Sequence, residues 1–330
     1  MLKTLGIILC SLIILFVLAS CAGMYFVNYA LKRQTFDPDK TSLGKTGGQK
    51  GDEVYLPGNE DNPDAQPYIT ISKQGQEWAD SVPSERWETV SDDGLRLVAK
   101  FFPVQDSHKY VILAHGYTSQ KEAMYGYGFY FAQWGYNVLA VDHRSHGESE
   151  GKYIGMGWLE SRDCLKWISM IVDRDPDAAI TMLGVSMGGA TVMMTSGLDL
   201  PANVKCLVED CGYSSVWTEF SNEFKAVFKL PTWPLMNIAD RAAKRIAGYS
   251  LKEASSTDRL ANAKVPMLFI HGTADTFVSY SMLDENIAAI GDTPHEVLRV
   301  EGAGHGMSLY KDEDLYISTL KAFLDKYIMS

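Results

Sequence analysis

The chain has no excess of positive charge. Its 330 residues carry 30 Lys and Arg against 41 Asp and Glu, a net charge of -11. Phosphate binding needs a basic face, so nucleic acid is excluded as an expected partner. Cysteine is scarce: Cys10, Cys21, Cys164, Cys206 and Cys211. Two of these fall in an apolar N-terminus, and the others show no zinc-ligand spacing with histidine. Neither a disulfide framework nor a metal site is expected. Cys206 and Cys211 sit on or just after one expected strand and read as small packed side chains. Histidine is limited to seven residues, and there is no internal repeat.

Long hydrophobic runs are also rare, and the exception is terminal. After Lys3 the chain is almost continuously apolar from Leu5 to Leu31, closed by Lys32-Arg33. That exceeds the roughly 20 residues needed to span a bilayer. Residues 1–33 are therefore expected to be a single-pass signal anchor in the cell membrane, with the remaining domain on the outer face. A competing reading takes Leu18-Ala19-Ser20-Cys21 as a lipobox with a lipidated Cys21. The apolar run continues through Met24-Tyr25-Phe26-Val27, where a cleaved lipoprotein usually turns polar. Flanking charges are nearly balanced and do not fix orientation. Residues 34–75 are rich in Asp, Lys, Gly, Asn and Pro and are expected to be a polar linker.

From residue 76 to 330 the pattern is alternating strand and helix. Trp87–Val90 and Leu95–Phe102 flank a Ser91-Asp92-Asp93-Gly94 turn and predict a β-hairpin. Apolar strands follow at Tyr110–Ala114, Asn137–Val141, Ile180–Leu183, Val204–Glu209, Val265–Ile270 and Glu296–Val300, with helices between them and a last helix from about Asp314. Buried strands separated by helices imply a mostly parallel central sheet covered on both faces. One segment breaks the alternation. Between Gly212 and Lys264 lie Trp217, Phe220, Phe224, Trp233 and Met236, with Pro231 and Pro234 as helix breakers. A small helical cap is expected there, at about 213–254, with those five side chains lining a substrate pocket.

The stretch Gly184-Val185-Ser186-Met187-Gly188 joins an apolar strand to a helix of small residues. A sharp strand-to-helix turn would lift Ser186 Oγ clear of the sheet, and the glycines admit close backbone. A serine hydroxyl needs a base. His305 lies in the Gly-rich loop Glu301–Gly306 directly after the last strand, where its ring can reach over the sheet. Asp275, just beyond the Met267–Ile270 strand, is the expected orienting carboxylate, with Asp210 as the alternative acid. The Met187 N–H, with Tyr117 N–H from the His115-Gly116-Tyr117 loop, is expected to hold an oxyanion. Asp142-His143-Arg144-Ser145-His146-Gly147-Glu148-Ser149 groups histidines and acids but matches no metal motif. It reads as a polar loop pinned by Asp142 and Arg144 with a turn at Gly147, and His115 reads as a structural brace.

Taken together, these four motifs resemble the α/β-hydrolase superfamily over about Glu85 to Ser330. More narrowly, the chain looks like membrane-anchored hydrolases of Gram-positive bacteria, near the serine-aminopeptidase-like and monoglyceride-lipase-like branch. That branch usually has Arg-Gly-His-Gly where this chain has Arg144-Ser145-His146-Gly147. The resemblance implies an α/β-hydrolase fold and a cofactor-independent serine hydrolase. The aromatic, Met-containing cap favours small-molecule carboxylesters or lipid-like substrates with apolar acyl or aryl groups. The alternatives are an aminopeptidase, with Glu209, Asp210, Glu219 or Glu223 receiving the substrate amine, and a non-catalytic binding module on the same fold.

Overall fold

A computed structural model describes residues 4, 20–33, 65–229 and 231–328. Strands β1 (Glu85–Val90) and β2 (Arg96–Phe102) form the expected hairpin at one edge of an eight-stranded sheet. The other strands are β3 (Lys109–Ala114), β4 (Asn137–Asp142), β5 (Ala179–Val185), β6 (Val204–Asp210), β7 (Met267–Gly272) and β8 (His295–Val300). Their spatial order is β1-β2-β4-β3-β5-β6-β7-β8. β2 pairs antiparallel with β4, and every pairing from β4 to β8 is parallel. β3, β4, β6 and β7 are almost wholly buried, as continuous apolar runs covered on both faces must be.

One face of the sheet packs on α2 (Gln66–Ser81), α3 (Tyr125–Gln133), α10 (Ser308–Lys311) and α11 (Glu313–Tyr327). The other packs on α4 (Glu160–Arg174), α5 (Met187–Ser196), α8 (Ser256–Leu260) and α9 (Ser281–Ile290). All the parallel strands end on one side, so the loops after β3, β5, β6, β7 and β8 converge there. The cap lies over that edge as α6 (Val216–Phe228) and α7 (Leu235–Ile246). Ser215 caps α6 by accepting from Thr218 N at 3.1 Å. The helices part at residues 229–234, at the two prolines, as the sequence predicts.

Helix α2 changes the expected boundary. Its first half, residues 66–75, falls in the segment read from composition as linker, yet Ile71, Gly75 and Ala79 are buried against the domain. The reason is a glycine crossing. A Cβ on Gly75 would stand 2.3 Å from Gly126 N, and one on Gly126 would stand 2.9 Å from Ile71 Cγ2. Residues 34–64 of the expected linker lie outside the described residues.

The expected anchor is described only in part. Residues 20–31 are helical, and residues 5–19 lie outside the described residues. Among the described residues no helix is long and apolar enough to cross a membrane. The helix of residues 20–31, α1, lies on the cap side of the domain. Gly23, Phe26, Val27 and Leu31 are buried on it, at the i, i+3, i+4, i+8 spacing of one helical face. A Cβ on Gly23 would come within 2.7 Å of Ile238 Cγ2 in α7, so a glycine is needed for that approach. Cys21, the residue of the lipobox reading, is exposed with a free thiol.

Because α2 touches α3 through backbone, Gly75→Val should lower unfolding free energy by about 1–3 kcal/mol. Denaturant unfolding of the purified chain measures this. An unchanged midpoint would mean that α2 does not contribute to the fold.

Candidate active site

The turn between β5 and α5 is held by atoms that leave no room for side chains. A Cβ on Gly184 would lie 2.1 Å from Gly188 O, and a Cβ on Gly188 would lie 2.0 Å from Ala114 O. Ser186 therefore takes φ 59° and ψ -117°, a conformation rarely open to a residue with a side chain. Holding it costs on the order of 1–3 kcal/mol, which the packing around it must offset. Its N–H donates to Asp210 O at 2.8 Å and its carbonyl accepts from Ala190 N at 2.9 Å, so the backbone is fixed on both sides while Oγ stands clear.

Oγ is 2.8 Å from His305 Nε2, and His305 Nδ1 is 2.8 Å from Asp275 Oδ2. These three residues come from the ends of β5, β7 and β8, separated by up to 119 positions in sequence. Phe277 N and Val278 N each donate to Asp275 Oδ1 at 3.0 Å, and His271 Nε2 stands 3.1 Å from Oδ2. Burial alone pushes the Asp275 carboxyl upward. The charge of His305 and hydrogen bonds from His271 and His305 outweigh it and bring the carboxyl down to about 2. Asp275 is thus an ionised acceptor aimed at the imidazole.

Asp210, the alternative acid, ends β6 with its carboxylate accepting from Ser308 Oγ at 3.2 Å. Burial raises it to about 6, against the opposing pull of His271. The carboxylate placed on His305 Nδ1 is that of Asp275. Cys211 Sγ also lies within 4.8 Å of ligand atoms of Asp275 and His305. Burial and the neighbouring Asp210 and Asp275 push that thiol well above its ordinary range, so it is held as the neutral thiol.

The loop after β3 runs alongside the serine: a Cβ on Gly116 would be 3.5 Å from Ser186 Cβ and 3.9 Å from its Oγ. Tyr117 follows directly, and Met187 opens α5, where a first-turn N–H has no partner within the helix. The loop is braced by two buried imidazoles. His115 Nδ1 is 2.7 Å from Gly116 O, and its Nε2 accepts from His143 N at 3.1 Å. His146 Nε2 accepts from Thr118 N at 3.2 Å, where Thr118 has φ 55°. Burial lowers both, His146 to about 3, so each ring is neutral and able to accept.

Asp142 accepts from Lys121 N at 2.9 Å, Lys121 Nζ at 2.7 Å and Glu148 N at 2.9 Å. Arg144 pairs with Asp163 at 2.7 Å and with Asp93 at 3.0 Å. A Cβ on Gly147 would lie 2.3 Å from the Asp142 carboxylate. Ser145, where the branch usually has glycine, keeps the left-handed backbone at φ 63° and donates its hydroxyl to Tyr153 O at 2.8 Å.

Ser186 opens into a cavity lined on the cap side by Phe220 and Phe224, with Tyr213, Phe277 and Val278 on the sheet side. Three expected cap residues lie elsewhere. Trp217, in the first turn of α6, lies under Lys252 Nζ at 4.4 Å and lines a separate cleft. Trp233 is 75% exposed between the cap helices, and Met236 is fully buried in the core that the cap shares with α1 and α5. The hydrophobicity of these residues did not reveal which way each faced.

Two carboxylates proposed for an amine, Glu219 and Glu223, do line the cavity, and Glu209 and Asp210 do not. Burial raises both Glu219 and Glu223, with Glu223 adding to the rise at Glu219. Phe26, Tyr29, Ala30 and Met156 also line the cavity, the first three from the terminal apolar run.

The profile of the serine aminopeptidase, S33, family matches residues 105–248. YqkD of Bacillus subtilis is 30% identical over 221 residues, 67% of this chain and 72% of that protein. The chain belongs to the α/β-hydrolase superfamily. It is a hydrolase by family and structural neighbours. A monoacylglycerol lipase of Mycolicibacterium smegmatis is 25% identical over 216 residues, 56% of this chain and 77% of that one. The Pyrococcus furiosus esterase Pf2001 superposes with a TM-score of 0.62 at 25% identity, covering 75% of this chain and 94% of that chain.

Asp275 is depressed in the folded state, so its contribution to stability is present above the unfolded carboxylate pKa and lost as pH falls from about 4 toward 2. Asp275→Asn should flatten this part of the acid-unfolding curve, followed by circular dichroism. An unchanged curve would show that Asp275 is not held ionised by its neighbours.

Proposed function

We propose that the protein is a serine hydrolase that cleaves carboxylesters of apolar acyl or aryl groups through an acyl-enzyme. One observation carries the reading: the 2.8 Å links from Ser186 Oγ to His305 and from His305 to Asp275, at the floor of a largely apolar cavity. Ser186 Oγ attacks the ester carbonyl carbon as its proton passes to His305 Nε2. Asp275 holds the ring in register and stabilises the imidazolium. The N–H groups of Tyr117 and Met187 receive the oxyanion. As the intermediate collapses, the ester C–O bond breaks and the leaving alcohol takes the proton from His305. Water then gives a proton to His305 Nε2 and attacks the acyl carbon, the Oγ–acyl bond breaks as Ser186 Oγ takes that proton from His305, and the acid leaves. The Pf2001 esterase and the monoacylglycerol lipase relatives support an ester substrate.

A second reading, aminopeptidase activity, is favoured by Glu219 and Glu223, whose carboxyls line the same cavity and suit a substrate ammonium. The matched family's description points the same way. The apolar run and the exposed Met24, Tyr25 and Tyr29 support membrane anchorage, and the resemblance to membrane-anchored Gram-positive hydrolases supports an outer placement of the domain. Protection of the domain from protease added to intact cells would place it inside.

Ser186→Ala should abolish fluorophosphonate labelling and lower p-nitrophenyl ester hydrolysis by about 10⁴ or more. Equal labelling of wild type and variant would sink the serine mechanism. Turnover of aminoacyl-p-nitroanilides but not esters, with KM raised by Glu219→Gln, would decide for the peptidase.

A further inference from the structure

We infer that α1 is a wall of the acyl pocket, and that Phe26 and Ala30 determine which acyl groups reach Ser186. This rests on the acyl-transfer reading of the site. Phe26, Tyr29 and Ala30 line the same cavity as Ser186. Phe26 is 8% exposed, and its ring meets the edges of Phe220 and Phe224 with centroids 5.9 and 5.6 Å apart. The apolar side of the cavity is therefore shared between α6 and a helix that is remote in sequence.

The wall is sewn to the catalytic loops at its lower end. Ile154 N donates to Leu31 O at 2.7 Å, and Arg33 N donates to Lys152 O at 2.8 Å. The Arg33 guanidinium donates to Gly147 O at 2.6 Å and Ser149 O at 2.7 Å, both on the loop that Asp142 pins. Tyr117 OH donates to Ala30 O at 2.7 Å. Tyr117 is also the residue whose backbone N–H is assigned to the oxyanion. The position of α1 is thus set by the same segments that set the reaction centre. A loosely held helix would give a pocket of variable width, whereas this one has fixed depth and fixed side chains.

The outward face of α1 is also apolar, with Met24, Tyr25 and Tyr29 at 46%, 67% and 44% exposed. Tyr29 both lines the cavity and is exposed, so the pocket meets the outside beside this face. An extended hydrocarbon tail leaving the cavity there stays in contact with apolar surface. The substrate class is therefore esters of medium to long acyl chains, with chain length read by Phe26 and Ala30.

The test uses the full-length chain in detergent, with ethyl and dodecyl fluorophosphonates. Each forms an O–P bond to Ser186 and expels fluoride, so the rate ratio reports the pocket whichever substrate class the enzyme cleaves. Ala30→Phe, which narrows the wall, should lower the dodecyl-to-ethyl ratio at least about tenfold. Phe26→Ala, which opens it, should raise that ratio several-fold and move the best p-nitrophenyl ester to a longer chain. Wild-type ratios in both variants would overturn the proposal. A variant that reacts with neither probe has lost its fold, and the ratio in the other variant then decides. Absence of labelling in the wild type would overturn the serine reading along with the wall, whereas labelling without ester turnover would overturn only the ester reading.

Discussion

The site depends on a backbone that a serine does not choose for itself. Ser186 sits at φ 59° because Gly184 and Gly188 bring β5, α5 and the end of β3 closer than any side chain would allow. The hydrogen bond from Ser186 N to Asp210 O ties that strained residue to the neighbouring strand. The sheet order then does the rest. With β3, β5, β6, β7 and β8 parallel, their loops open on one side, and residues far apart in sequence meet within hydrogen-bonding distance.

Electrostatics divides the buried polar groups by task. Asp275 is kept ionised by the histidines around it, and its other oxygen is fixed by two backbone N–H groups. Asp210, just as buried, is pushed the other way. His115 and His146 are neutral because burial disfavours the imidazolium, and neutrality lets them accept backbone hydrogen bonds that shape the loop beside Ser186. Two buried carboxyls of similar appearance in sequence thus have different roles, separated by which partners reach them.

Much of this was legible in the chain. The strand–turn–helix around Ser186, the hairpin and the placement of Asp275 and His305 after successive strands follow from local pattern, and local pattern decides them. The break between α6 and α7 follows from Pro231 and Pro234 in the same way. What was not legible depends on facing and on contact across sequence. Trp217, Trp233 and Met236 have the right hydrophobicity for a pocket but turn to a cleft, to solvent and to the core shared by the cap, α1 and α5. Gly75 reads as a linker residue because its value lies in Gly126, which composition does not pair with it. Phe26 reads as one more apolar residue in a hydrophobic run, and nothing local distinguishes it from Tyr25. Only the buried stripe through Gly23, Phe26, Val27 and Leu31 separates the two faces.

That stripe makes the N-terminal segment and the enzyme inseparable modules. A fragment beginning after Arg33 would take the Phe26 ring from Phe220 and Phe224 and the Ala30 carbonyl from Tyr117 OH. Under the acyl-pocket proposal, substrate profiles collected on such a fragment would describe a wider and wetter cleft than the native one. Replacing the segment with a generic hydrophobic helix would discard the Phe26 and Ala30 contacts with the cavity. Under the acyl-pocket proposal, the inward residues of α1 are the ones that change with the acyl group served, and the outward ones are free to vary.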